Sequence, residues 1–235
     1  MIHVAADGSA SLQAPQPLHR VSTVDALVSA LRGRILNGEL GPGARLRETE
    51  LAATYGVGRY TVRAAFQELV YRGMAEHRPH RGVSVLEPSP DVIRELYTYR
   101  AALECEAARL IVEREIPLDG VRAALKQLDG LPENTTWDRL LEADLGVHRA
   151  IVGAVGNRRM DDAFASIVDQ VMLCLSTLDT RVSTVTAEHR AIVRALASGD
   201  AERAVRTVRE HLYEVVDQMS GTGSSRKRRH KRAKG

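Results

Sequence analysis

From Pro90 to Met219 apolar side chains recur at three- and four-residue spacing, and no stretch alternates with the period of two that a half-buried strand needs. More than half of the chain is thereby committed to helices. The spacing predicts them near 91–114, 118–130, 137–154, 158–179, 187–198 and 201–219, with breaks at Gly130-Leu131-Pro132 and Gly199-Asp200. Pro88-Ser89-Pro90 opens the series, because Ser89 suits an N-cap and Pro90 the first helical position. Six helices with short connections close as an antiparallel α-helical bundle.

The region before the bundle follows another order. Val24, Leu27, Val28, Leu31 and Ile35 form one helical stripe behind Thr23, a candidate N-cap. The stripe stops at Asn37-Gly38, and Gly41-Pro42-Gly43 forces a turn. A short helix from about Arg47 to Tyr55 and another from about Arg59 to Arg72 follow, separated by Gly56-Val57-Gly58. Two strand-like runs, Met74–His77 and Val83–Leu86, flank Arg78-Pro79-His80-Arg81-Gly82. Helix, helix, turn, helix, hairpin is the order of a winged helix-turn-helix. The expected fold class is therefore mainly α. A disordered segment 1–21 precedes a winged unit 22–88, a helical unit 89–220 and a disordered tail 221–235.

Charge divides along the same lines. The net charge of +3 hides zero over 1–21, +2 over 22–88, −6 over 89–220 and +7 over the tail. Basic ends around an acidic middle suggest that a polyanion meets the ends. No apolar run approaches the roughly 18–20 residues of a membrane helix. Met1–Leu18 lacks the charged head and apolar stretch of a signal peptide. Cys105 and Cys174, the only cysteines, fall in helical patterns and read as core residues. The expectation is a cytoplasmic protein without disulfides.

Arg59 and Arg63 share a helix face with Tyr60 and Gln67, while Val62, Phe66, Leu69 and Val70 fill the opposite one. A helix with a packed rear and an arginine front can lie in the major groove, where an arginine fork matches the acceptors of guanine. Arg78, His80 and Arg81 at the hairpin tip suit phosphates or the minor groove, and Gly82 permits close approach. Charge spacing alone fits a solvated basic face equally well. The wording of residues 35–85 adds to this, because it closely resembles the DNA-binding domain of the GntR family of bacterial regulators. The resemblance is carried by Ile35-x-x-Gly38-x-Leu40-x-Pro42-Gly43-x-x-Leu46, Glu48-x-x-Leu51-Ala52, Gly56-Val57-x-Arg59-x-x-Val62-Arg63, Leu69-x-x-x-Gly73 and Arg78-Pro79-His80-Arg81-Gly82. It implies DNA contacts at Arg59, Arg63 and the wing tip. The chain departs from the family at Gly58-Arg59-Tyr60-Thr61, where Ser-Arg-Thr-Pro is usual, so Tyr60 is a DNA-contact candidate of this chain's own.

In the helical unit four polar residues stand where the period calls for apolar ones. Asp144 and His148 share the stripe Leu141, Asp144, Leu145, His148, Val152. His189 lies with Ile192, Val193 and Leu196, and His211 with Ala204, Val208, Leu212 and Val215. Burying such groups is costly unless something pairs with them. A divalent cation meets that need, and three imidazoles with one carboxylate suit zinc, with nickel or manganese as further fits. Hydrogen-bonded core histidines and an Asp144–arginine pair are the plainer alternatives. The unit also looks like the FCD effector domain of the FadR subgroup of GntR regulators. Asp144-x-x-x-His148, Glu188-His189-x-x-Ile192 and His211-Leu212 carry that likeness, and six effector helices resemble the VanR-like branch. The likeness implies a metal at the floor of a pocket that takes a small carboxylate. Arg100, in Leu96-Tyr97-x-x-Arg100-x-x-Leu103-Glu104, matches an arginine typical of this domain and could clamp that carboxylate. An ordinary pair with Glu104 is the alternative.

The function these readings imply is a ligand-responsive transcription regulator with no catalytic residues, most naturally a repressor. It would act as a homodimer on a double-stranded DNA operator, since one recognition helix reads only a few base pairs. A metal-dependent hydrolase or lyase fused to a DNA-binding module is the rival, but no motif places a further acid or base beside the metal candidates.

Overall fold

The computed structural model describes residues 22–176, 178 and 181–219. The expectations for 1–21 and for the basic tail 221–235 lie outside the described residues. The element order is α1 (Thr23–Leu36), β1 (Arg45–Leu46), α2 (Glu48–Tyr55), α3 (Arg59–Tyr71), β2 (Ala75–Arg78) and β3 (Gly82–Val85). It continues with α4 (Pro90–Glu113), α5 (Asp119–Asp129), α6 (Trp137–Ala154), α7 (Arg158–Leu175), α8 (Val182–Leu196) and α9 (Ala201–Met219). This is a winged helix-turn-helix followed by a six-helix bundle.

Local chemistry sets the ends of the elements. Ser22, not Thr23, caps α1, its hydroxyl accepting from the Asp25 amide. Ser89 caps α4 in the same way, with Pro90 in the first turn. Gly56 closes α2 at φ 63°, a left-handed conformation that a side chain would strain. The three strands order as β1-β3-β2, all antiparallel, with Ala75 opposite Val85 and Arg78 opposite Gly82. β1 is absent from the sequence-based expectation because two residues cannot display alternation; pairing of Arg45 with Ser84 and Leu46 with Val83 defines it.

α8 begins five residues before the expected start, at Val182. Its first turns, rich in valine and threonine, have modest helix propensity, but Val182, Val185 and Thr186 are buried, and packing overrides propensity. α7 ends at Leu175, short of the expected 179, with Ser176 as its C-cap. In the bundle α4 runs along α9, α5 along α6, and α8 against α5 and α9.

The winged unit also touches the bundle. α1 lies on α6 and α7. Arg32 of α1 donates from Nε to Asp169 of α7 at 2.7 Å, and Arg72, the C-cap of α3, reaches the other Asp169 oxygen at 3.4 Å. Gly73 follows with φ 66°, and a Cβ there would fall 2.5 Å from the Gln170 side chain. One carboxylate of α7 is thus shared by the first helix and the end of the third. No helix among the described residues is long and apolar enough to cross a membrane.

Candidate functional site

α6, α8 and α9 bring three imidazoles together. His148, His189 and His211 each offer a ring nitrogen, and these atoms all lie within 4.8 Å of one another. His148 and His189 are buried, and His211 sits half-buried at the edge of the group. Asp144 joins through His189, its Oδ1 lying 3.2 Å from His189 Nε2. All four predicted residues are therefore gathered at one place. The stripe on α9 is rotated slightly from the expected one, with Val216 buried and Val215 only half-buried.

Hydrogen bonds fix how two of the rings face. His189 Nδ1 lies 2.8 Å from the Val185 carbonyl, which can only accept, so Nδ1 carries the proton. Burial pushes the His189 pKa down to about 3; Asp144 opposes this and the other two histidines reinforce it. The ring is neutral at physiological pH, and its Nε2 is a bare lone pair. His148 Nδ1 lies 2.6 Å from Glu104 Oε2, again an acceptor, so its Nε2 also points inward. The two Nε2 atoms stand 3.0 Å apart, with Asp144 Oδ1 beside one of them. Lone pairs so arranged repel unless a cation or a proton lies between them.

Glu104 is the residue that sequence reasoning undervalued. It is completely buried on α4, and its two oxygens serve Arg100 Nε at 2.8 Å and His148 Nδ1. Burial raises its pKa, but Arg100 and then His148 outweigh that and bring it to about 2. The signal was present: Tyr97, Arg100, Ala101, Glu104 and Ala108 continue one buried stripe, with Arg100 and Glu104 its charged exceptions.

Arg100 forms the ordinary pair with Glu104 that was its plainer alternative. Its guanidinium also lines a pocket with Tyr97, Trp137, Asp144, His148 and His211. That pocket encloses about 50 Å³, room for a few water-sized groups. Arg100 Nη2, the Tyr97 hydroxyl and Trp137 Nε1 are buried in its wall without hydrogen-bond partners. All three can donate, so an acceptor-rich ligand would satisfy them. Glu188, 3.4 Å from His211 Nδ1, adds a carboxylate at the rim.

The nucleic-acid candidates are arranged differently. Arg59, Tyr60, Arg63 and Gln67 are exposed on α3, Tyr60 at 85%, while Val62, Phe66 and Leu69 are buried behind them. Gly58 occupies the N-cap of α3 without a side-chain hydrogen bond. Arg63 is held at 2.9 Å by Glu48 of α2. At the wing His80, Arg81 and Gly82 are exposed, His80 with φ 60°. Arg78 differs from them: it turns back on Glu76 at 2.7 Å and is half-buried.

Residues 23–85 match the family of bacterial regulatory proteins described as gntR, and residues 95–214 match the FCD domain. The chain belongs to the GntR family. Its members are transcription regulators, not enzymes, and the pairing with an FCD domain fits the FadR subgroup. This GntR-family regulator is 31% identical over 181 residues to a probable D-xylose utilization operon transcriptional repressor of Paenarthrobacter nicotinovorans, covering 76% of this chain and 80% of that one. It is 27% identical to the HTH-type transcriptional regulator YdhC of Bacillus subtilis (strain 168), over 77% of this chain and 84% of that one. Among solved structures it resembles a putative GntR transcriptional regulator of Rhodococcus sp. RHA1, with a TM-score of 0.74 and 29% identity, covering 84% of this chain and 97% of that one.

Proposed function

We propose that this GntR-family regulator is a ligand-responsive repressor whose helical unit holds a divalent metal and senses a small carboxylate. The observation that carries the metal is the pair of inward Nε2 lone pairs 3.0 Å apart, with the Asp144 carboxylate alongside. Asp144, His148, His189 and His211 would hold the ion, and three imidazoles with one carboxylate favour zinc, with nickel or manganese as further fits. When bound, the metal supplies a Lewis-acidic position for an anionic ligand. Arg100 Nη2, the Tyr97 hydroxyl and Trp137 Nε1 would hold the ligand's other acceptors, which supports a carboxylate.

On the DNA side Arg59, Tyr60 and Arg63 would read base edges, with His80, Arg81 and Gly82 on the backbone or the minor groove. Arg78 would contribute mainly by bracing the wing through Glu76. A homodimer would place two recognition helices on symmetric half-sites of an operator. Ligand releases DNA only by binding the released arrangement better, because equal affinity for both arrangements shifts nothing. The repressor named among the relatives supports that sign of regulation.

The buried Glu104 favours one competing account: a protonated His148 paired with Glu104 could donate to His189 and form a metal-free network. Metal analysis separates the two. Protein purified without a metal-affinity step is measured beside the Asp144→Ala/His148→Ala variant. About one first-row metal per chain, lost in the variant, is the expected result for a four-ligand site. No metal in either protein would replace the sensor pocket with the hydrogen-bonded network.

A further inference from the structure

Glu104 lies on α4, which contributes none of the four metal candidates, and yet it touches one of them. Its side chain has no exposure to solvent. One oxygen accepts from Arg100 Nε at 2.8 Å and the other lies 2.6 Å from His148 Nδ1. An imidazole can bind a cation through Nε2 only when Nδ1 keeps the proton, and a carboxylate on Nδ1 enforces that tautomer. Arg100 in turn holds the carboxylate in place, while its Nη2 stays without a partner in the pocket wall.

We propose that Glu104 is the positioning residue of the metal centre, fixing the His148 ring so that its Nε2 faces the cation. This rests on the metal reading above. Glu104 touches no metal itself; it acts through His148. Its second contact extends the chain of hydrogen bonds to Arg100, so the group proposed to meet the ligand and the group proposed to meet the metal share one carboxylate.

Glu104→Gln tests this sharply because glutamine offers one acceptor and one donor where glutamate offers two acceptors. Arg100 can only donate and takes the amide oxygen. The amide nitrogen is then left facing His148 Nδ1, which must give up its proton, and the proton moves to Nε2. The full chain is stripped of metal and its affinity for zinc alone is measured by competition with a chromophoric chelator. Ring-nitrogen NMR of the metal-free protein reads the His148 tautomer. Expected are zinc binding by the wild type, with about 10–100-fold weaker binding by Glu104→Gln. His148 should carry its proton on Nδ1 in the wild type and on Nε2 in the variant.

Should the variant not fold, the wild-type spectrum decides alone: a His148 Nδ1 without a proton beside Glu104 overturns the proposal. Equal zinc affinity in the two proteins also overturns it, leaving the metal site itself intact. A wild type that takes up no zinc removes the metal reading and this proposal together.

Discussion

The exposed face of α3 and the histidine cluster carry comparable numbers of polar side chains, and the two use them in opposite ways. On α3 Arg59, Tyr60, Arg63 and Gln67 stand in solvent over an apolar rear face. Exposed charges cost little to the fold, and apart from the Arg63–Glu48 pair they show no partner among the described residues that the fold depends on. In the bundle Glu104, His148 and His189 are almost wholly withdrawn from water. Burial of that kind is unfavourable without partners, so each group must be answered by another. The difference teaches where a fold discloses its ligand. A site on the surface is read from what it displays, and a buried site from what it still lacks.

If that contrast holds, the largest effect comes from the buried site. Chelation of the wild type should cost about 4 kcal/mol where free metal stands roughly a thousandfold above its dissociation constant. For a domain of this size that lowers the melting temperature by roughly 8–16 °C. Asp144→Ala/His148→Ala should melt without further response to chelator. A wild-type melting temperature indifferent to chelator would erase the distinction between the two regions.

The surface site should behave in reverse. Arg59→Ala should weaken operator binding by about 1–3 kcal/mol if its fork reads a base, with a melting temperature close to that of the wild type. Arg63→Ala should do less than Arg59→Ala, because Glu48 already holds Arg63 at 2.9 Å and DNA must compete for it. Operator titrations in which both variants bind like the wild type would refute the docking of α3. A large loss of stability in Arg59→Ala would instead mean that the exposed face is structural after all.

Between the two regions stands Asp169, which joins Arg32 of α1 and Arg72 at the end of α3 to the bundle. Its side chain is 14% exposed, so solvent screens the pairs only in part. A hydrogen bond to a charged group contributes about 1.5–3 kcal/mol, and Asp169→Ala should lose an amount at the lower end of that range. Proteolysis near Pro88 should quicken in the variant. Unaltered cleavage and stability would mean that the winged unit is held on the bundle by apolar contacts of α1 alone.

How much of this was legible depended on range along the chain. Helical stripes, caps and glycine turns are local, and they gave α1 to α7 within a few residues apart from the end of α7. The start of α8 was not legible, because Val182, Val185 and Thr186 are helical on account of what α8 packs against. Asp144, His148, His189 and His211 were legible because each interrupts an apolar stripe. Glu104 interrupts one as well, but its spacing from Arg100 already offered a sufficient local explanation. Only the fold shows that its second oxygen reaches His148, 44 residues away. The Asp169 contacts were hidden for the same reason, since nothing near Asp169 in the chain names an arginine more than a hundred residues earlier.

Near neutral pH the smallest effect concerns the two thiols, which test whether the bundle interior excludes solvent as its buried polar groups require. Burial pushes Cys174 up to about 12 against the opposing charge of Arg100, and raises Cys105 as well. Thiolates are the reactive form, so at pH 8 neither cysteine should react with an aromatic disulfide reagent until the chain unfolds. The linkage has a definite sign. Between pH 9 and about 12 the unfolded chain gives up the Cys174 proton and the folded chain keeps it, so stability should fall as pH rises through that window. Rapid labelling of folded protein at pH 8 would mean that water reaches the bundle interior, at Cys174 as far as the surroundings of Arg100. Lone pairs there could then be answered by solvent, and the buried site would lose the property that sets it apart from the surface one.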